Sequence, residues 1–256
     1  VLMLKNKLGA VLALALTTSL LCPHTEASPH ALVKGRSYYE ERGDIVWEVP
    51  THEKFVAFTF DDGPDDRQTL EILDVLDQNQ AKATFFVVGD RVKRFPEIVQ
   101  LELAKGHEIG NHSFHHPSFH NITTSSIMSE LSQTQQAVFE ATGQRPVLFR
   151  PPGGHYNEKI VEATKNNGLQ MILWSWHQDT LDWTSPGVYK IVRKVVNNAR
   201  NGDIILMHDY VHNSKQTAQA LKIILPELKS RGYSFVTVSE LLSHKVTPDH
   251  HIKVNH

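Results

Sequence analysis

Phe55-Val56-Ala57-Phe58-Thr59-Phe60-Asp61-Asp62-Gly63-Pro64 is the segment from which the architecture can be worked out. An almost wholly apolar run ends in two adjacent carboxylates and a Gly-Pro turn. Apolar residues without regular polar alternation are the mark of a strand buried on both faces, as in a parallel sheet covered by helices. The carboxyl ends of such strands face the ligand crevice. Two carboxylates fixed there can divide the work of holding a metal and moving a proton. Asp also caps helices and Gly-Pro also punctuates loops, so the segment needs support from the rest of the chain.

That support begins with repetition. Further strand-length apolar runs span Ala83 to Gly89, His107 to His112, Val147 to Arg150, Gln170 to Trp176, Asp203 to His208 and Ser234 to Val238. Helical spacing lies between them: Leu70, Leu73 and Leu76 after an Asp65-Asp66 start, then Ile127, Leu131 and Val138, then Ala218, Leu221, Leu225 and Leu228. Strand then helix, repeated, argues for an open doubly wound sheet or a closed barrel. Candidate functional groups sit at the carboxyl ends of several strands: Asp61 and Asp62, His112, Arg150 and His208. Convergence of many strand ends favours the barrel.

Composition narrows the function. Lys5 and Lys7 precede an apolar stretch from Leu8 to Cys22, and Thr25-Glu26-Ala27 offers small residues for cleavage, so residues 1–27 are expected to be a secretory signal. The lone cysteine, Cys22, falls inside it, which leaves a mature chain with neither disulfide nor thiolate metal site. No membrane span is expected after signal removal. The remaining residues, roughly 230, suit one core of barrel size, acting as a monomer. Residues 28–54, with Tyr38, Tyr39, Trp47 and Pro50, read as an extended arm laid across a catalytic domain of residues 55–242, and residues 243–256 as a solvated polar tail. A formal charge of −2 with no run of Lys and Arg among aromatics argues against nucleic acid.

Four further segments carry chemistry. In Asn111-His112-Ser113-Phe114-His115-His116-Pro117 the spacing of His112 and His116 places both rings on one side of a helical turn. Two imidazoles and one carboxylate leave open positions on a metal, suiting Zn²⁺ and also Fe²⁺ or Co²⁺. His115 is a rival ligand if the loop is not helical. In Phe149-Arg150-Pro151-Pro152-Gly153-Gly154, Arg150 can hold a carboxylate and the turn can present backbone N–H groups. Asp179-Thr180-Leu181-Asp182-Trp183 and Leu206-Met207-His208 complete the set.

In this order the five segments resemble the signature of the polysaccharide deacetylases, carbohydrate esterase family 4, built on the NodB homology domain. The likeness spans about residues 50–242. It implies a distorted (β/α) barrel of seven or eight parallel strands and a deacetylase of N-acetylglucosamine units in peptidoglycan or chitin oligomers, secreted or in the cell envelope. It further implies that Asp62, His112 and His116 bind the metal, usually zinc with Co²⁺ or another divalent ion possible, and that Asp61 is the general base. Arg150 would orient Asp61 and keep it ionised. His208, held protonated by Asp182, would be the acid for the leaving amine, Gly153 would offer its N–H to the oxyanion, and Trp183 and Leu206 would wall the acetyl pocket.

One departure stands out: many relatives carry an aromatic where this chain has Gly153, so a sugar-stacking ring is missing unless Tyr156 or another aromatic supplies it. Acetylxylan-type O-acetyl esterases use the same residues. A non-catalytic carbohydrate-binding relative would be expected to lose base, ligand or acid, and this chain keeps all three.

Overall fold

The structure is a computed structural model and describes residues 34–212 and 214–246. The expected signal with Cys22, the arm up to residue 33, and the tail from residue 247, with His250, His251 and His256, lie outside the described residues.

The strands are β1 (Ile45–Val46), β2 (Phe55–Asp61), β3 (Ala83–Val87), β4 (Glu108–Asn111), β5 (Leu148–Phe149), β6 (Gln170–Ile172), β7 (Asp203–His208) and β8 (Ser234–Phe235). Among them run α1 (Arg36–Glu41), α2 (Gln68–Gln78), α3 (Gly89–Arg94), α4 (Pro96–Ala104), α5 (Thr124–Thr142), α6 (Glu158–Asn166), α7 (Val188–Val196), α8 (Gln216–Ser230) and α9 (Val238–Ser243). All strand pairs are parallel, in the order β1-β6-β5-β4-β3-β2-β7, with β8 paired to the entry of β2. This is the distorted (β/α) barrel that the family resemblance implied, the closed alternative of the two that the alternation left open. Its last gap is closed by isolated bridges, Glu48 to Asp203 and Asp179 to Leu206, together with the Ser175 N–H donating to Ile204 O at 3.0 Å.

β2 is central and buried on both faces, as its unbroken apolar character requires. Phe60 stacks on Phe85 at 5.1 Å, and helices α2 and α8 seal one side with Leu73, Leu76, Leu221 and Leu225. Leu70, part of the expected stripe, lies at 36% exposure on the outer side of α2, where Ile72 and Val75 take the inward positions.

Several strands end earlier than the apolar runs. Gly89 opens α3 because its N–H goes to Ser113 O rather than to a strand, and Val238 opens α9 behind Thr237, whose Oγ1 accepts the Glu240 N–H. The arm also differs from expectation. Residues 36–46 form α1 and β1, and β1 pairs with β6, while Tyr39 and Trp47 are wholly buried beside Phe149, Ile160 and Met171. The arm is therefore part of the sheet and its core. At the other end, His244 packs edge-on against Phe55 at 4.8 Å and Val246 N–H donates to Pro50 O, so the chain stays attached past residue 243.

If the arm is integral, Trp47→Ala should lower the unfolding free energy in urea by roughly 3–5 kcal/mol. Leu70→Ala on the outer face of α2 should change it by no more than about 0.5 kcal/mol.

Candidate active site

Parallel register delivers the site. Asp61 ends β2 level with Phe86 of β3 and with His208 of β7, so one acid and one imidazole meet at the same height. Beyond Asp61 the chain turns sharply: Asp62 has φ 78°, in the left-handed region that non-glycine residues seldom occupy. Buried Asp209 holds this turn, its Oδ1 accepting the Gly63 N–H at 2.9 Å and its Oδ2 the Thr69 hydroxyl at 2.5 Å. A Cβ on Gly63 would fall 1.9 Å from Asp209 Oδ2, so only glycine fits. Burial pushes Asp209 up to about 7, Asp62 adding to the effect and the hydrogen bonds from Thr69 and Gly63 opposing it.

The loop after β4 is not the helical turn that the His112 to His116 spacing suggested; no helix forms before α5. Side chains take the backbone donors instead. Asn111 Oδ1 accepts the Ser113 N–H at 2.9 Å, Glu130 Oε2 accepts those of Phe114 and His115 at 2.8 Å, and Ser113 and His116 adopt positive φ. Both rings still reach Asp62. Its Oδ1 lies 3.5 Å from His112 Nε2 and 3.2 Å from His116 Nε2. His115 turns away, its Nδ1 2.8 Å from Glu130 Oε1, and does not join this group.

The residues present fit a divalent metal. Tetrahedral ligands about 2.0–2.2 Å from an ion stand about 3.3–3.6 Å apart, close to the two spacings observed. Asp62 Oδ1 is buried and has no hydrogen-bond partner, an arrangement that costs free energy unless something else engages the oxygen. His112 Nδ1 lies 2.7 Å from the Arg150 carbonyl; a carbonyl only accepts, so Nδ1 carries a hydrogen and Nε2 is the nitrogen left to a metal. Without metal, burial works against a charged His112, but the charge of Asp61 and the hydrogen bond and charge of Asp62 outweigh it and push His112 up. Burial, with the charge of His112, pushes His116 down and favours the neutral ring that a metal requires.

Arg150 is wholly buried, and its Nη1 donates to Asp61 Oδ1 at 2.8 Å and to Thr59 Oγ1 at 2.7 Å. Opposite, His208 Nδ1 lies 2.7 Å from Asp182 Oδ1, and Asp182 Oδ2 accepts the His208 N–H and the Thr217 hydroxyl. Burial works against a charged His208, but the hydrogen bond and charge of Asp182, then Asp61 and Asp62, outweigh it and push His208 up to about 9. Asp61, Asp62, His112, His116 and His208 face one pocket of about 340 Å³, walled also by Gly153, Gly154, Trp174, Asp179, Trp183 and Leu206.

A family model described as polysaccharide deacetylase matches residues 48–172. A peptidoglycan-N-acetylglucosamine deacetylase of Bacillus cereus is 49% identical over 210 residues, covering 82% of this chain and 98% of the relative. The chain belongs to the polysaccharide deacetylase family. Among solved structures it is similar to a peptidoglycan N-acetylglucosamine deacetylase in complex with 4-naphthalen-1-yl-N-oxidanyl-benzamide, at a TM-score of 0.78 and 30% identity over 83% of this chain and 100% of that one. It is also similar to a family 4 acetyl xylan esterase from Clostridium thermocellum in complex with a cobalt ion, at a TM-score of 0.69 and 38% identity over 74% of this chain and 90% of that one.

In this deacetylase the ten residues singled out in the sequence fall at one site. Arg150 and Asp182 lie behind it, and the other eight line the pocket. Tyr156 does not replace the missing ring, because it packs edge-on against Tyr39 and Trp47 at 5.4 Å. The aromatic walls of the pocket are Trp183, 56% exposed, and Trp174, which sequence reasoning passed over inside an apolar run. A Cβ on Gly154 would meet the Trp174 ring at 2.6 Å, so glycine there makes room for that wall. Asp209, directly after the Leu-Met-His segment, was also missed, and Glu130 had no signal beyond being an acid in a helix.

His208 should titrate near 9 in the metal-free deacetylase by NMR, and clearly lower in Asp182→Asn, since only the charges of Asp61 and Asp62 then oppose burial. Because the folded value is raised, the pair's stabilisation is full below about pH 6.5 and fades as pH rises through about 9.

Proposed function

We propose that this enzyme is an extracytoplasmic, metal-dependent deacetylase that removes the acetyl group from N-acetylglucosamine residues of peptidoglycan and releases acetate. The observation that carries the reading is the meeting of Asp62, His112 and His116 at metal-ligand spacing, with Asp61 on one side and the His208–Asp182 pair on the other. The peptidoglycan N-acetylglucosamine deacetylases similar in sequence and structure support the substrate and the setting.

Asp62, His112 and His116 would hold the ion, zinc by the nitrogen and oxygen donor set, with Co²⁺ an alternative supported by the cobalt-bound esterase. When bound it supplies Lewis acidity toward the acetyl carbonyl and acidity toward water. Asp61 takes the proton of the attacking water, and the guanidinium of Arg150 fixes which oxygen is free to do so, since Oδ1 is already engaged. His208, charged at neutral pH, returns a proton to the nitrogen as the C–N bond breaks, so the products are a free amine and acetate. Leu206, almost wholly buried, and Trp183 close on the methyl group and exclude longer acyl chains; Gly153 brings backbone close to the carbonyl oxygen.

Acetate release from purified peptidoglycan and from N-acetylglucosamine oligomers should require divalent metal and return when zinc is restored to stripped protein. Asp61→Asn should lose about 10²–10⁴ in rate while retaining metal, whereas His112→Ala should lose metal and rate together. An Asp61→Asn protein that binds no metal would overturn the division of roles between the two carboxylates. No acetate from either polymer with metal bound would overturn the reading.

A further inference from the structure

The site has a second opening. A groove of about 300 Å³ shares Asp62 and His116 with the main pocket and continues along α3, where Asp90, Arg91 and Arg94 face Tyr210 across it. A glycan with one sugar in the pocket therefore has this groove as the place for a neighbouring sugar.

Its donors are pre-organised. The Arg91 guanidinium lies 3.3 Å over the Tyr210 ring and Nη1 donates to Pro64 O at 3.2 Å, while its nearest carboxylate, Asp65, stands 3.8 Å away. Among the described residues the side chain makes no other hydrogen bond, which leaves donors of the planar fork for a ligand. Among the described residues Arg94 pairs with Asp90 alone, at 3.4 Å, with both side chains more than half exposed. Asp62, Asp65 and Asp90 more than offset the two guanidinium groups, and a divalent ion held by Asp62 would make the balance positive.

We propose that this groove binds a carboxylate carried by the sugar next to the one deacetylated, with Arg91 and Arg94 as its partners and Tyr210 as the plate that holds Arg91 in place. The inference rests on the peptidoglycan reading above and deepens it. In a glycan that alternates N-acetylglucosamine with N-acetylmuramic acid, every N-acetylglucosamine inside the strand is flanked by a sugar with a lactyl ether. Its carboxyl group is either free or joined to a peptide bearing carboxylates of its own. An N-acetylglucosamine oligomer has no such group, so the groove distinguishes the two polymers by charge.

The experiment measures kcat/KM of the zinc-loaded protein on four substrates: peptidoglycan strands bearing peptides, strands with the peptides removed, the latter with lactyl carboxylates converted to methylamides, and N-acetylglucosamine tetramer. Peptide-free strands should be preferred over their methylamides by roughly three- to tenfold at low salt, less at high salt. Arg94→Gln, which keeps the Arg91 bond to Pro64, should reduce that preference, and Arg91→Gln/Arg94→Gln should bring the ratio of peptide-free to methylamide strands to about one. A preference confined to peptide-bearing strands, and lost in the same variant, places the carboxylate on the peptide. A variant that lowers all four rates equally, or a wild-type protein without preference for any carboxylate, overturns the proposal. Calorimetric binding of the same strands reads the groove independently of turnover. No acetate from any substrate sinks the deacetylase reading, whereas equal affinity for carboxylate and methylamide strands sinks the subsite alone.

Discussion

The buried guanidinium of Arg150 ties the barrel to its chemistry. A charge removed from water is costly unless paired and hydrogen-bonded throughout, and every edge of this one is engaged. Nη1 donates to Asp61 and Thr59 on β2, Nε to Ile172 O, Nη2 to Leu173 O, and the plane lies 4.2 Å over Phe86. Three strand ends that could otherwise splay are thereby fixed against one another. The catalytic base is also the counter-charge that makes the buried arginine tolerable, so the positions of Asp61 and of the β6 exit are set by one group. The Arg150 carbonyl extends this control by fixing the His112 ring.

Around that centre, three of the functional loops have a buried carboxylate behind them that collects the donors a non-regular backbone leaves unpaired. Asp209 does this for the turn after β2, Glu130 for the loop after β4 and Asp182 for the exit of β7. The division is physically sensible. Asp62 and His116 sit at positive φ, a conformation costing on the order of 1–3 kcal/mol that persists only where neighbours over-determine it. The hydrogen bonds to Asp209 and Glu130 supply that constraint. The ligating atoms can therefore remain without protein partners, as Asp62 Oδ1 does, and still be held in place.

The sequence exposes most of this because apolar runs and strand-end polar residues are local signals. Each of the seven apolar runs contains a strand, and the polar residues that end the β2, β4 and β7 runs meet in one pocket with Arg150 behind it. What it hides is non-local. β1 is only two residues long and is recognisable as a strand through its pairing with β6, a partner more than a hundred positions away, so the arm looked like a separate strap. The His112 to His116 spacing fits a helix equally well until Asn111 and Glu130 are known to capture the N–H groups between them. Nothing in the immediate neighbours of Glu130 in the sequence says that this acid of α5 faces inward.

The same accounting of acceptors explains why metal-ligating residue types need not make a metal site. Among the described residues Glu48, His177 and Asp203 also bring ligand atoms within 4.8 Å of one another. His177 Nε2 stands 2.8 Å from Asp203 Oδ1, ion-pair distance and shorter than the roughly 3.3 Å that two ligands of one tetrahedral ion keep. Asp203 Oδ2 accepts Gln178 Nε2 and the Arg200 N–H, and Glu48 pairs with Arg36 at 3.0 Å. Asp203 Oδ2 and Glu48 Oε1 are thus already engaged, although His177 Nε2, like Asp62 Oδ1, has no hydrogen bond of its own. The cluster lies where β7 begins, beside the bridges that close the barrel, and its charges join the seam. At the opposite end of β2 and β7 the carboxylate oxygen facing two imidazoles is left without a donor. That difference in occupancy, rather than residue type, separates the candidate metal centre from a structural cross-link.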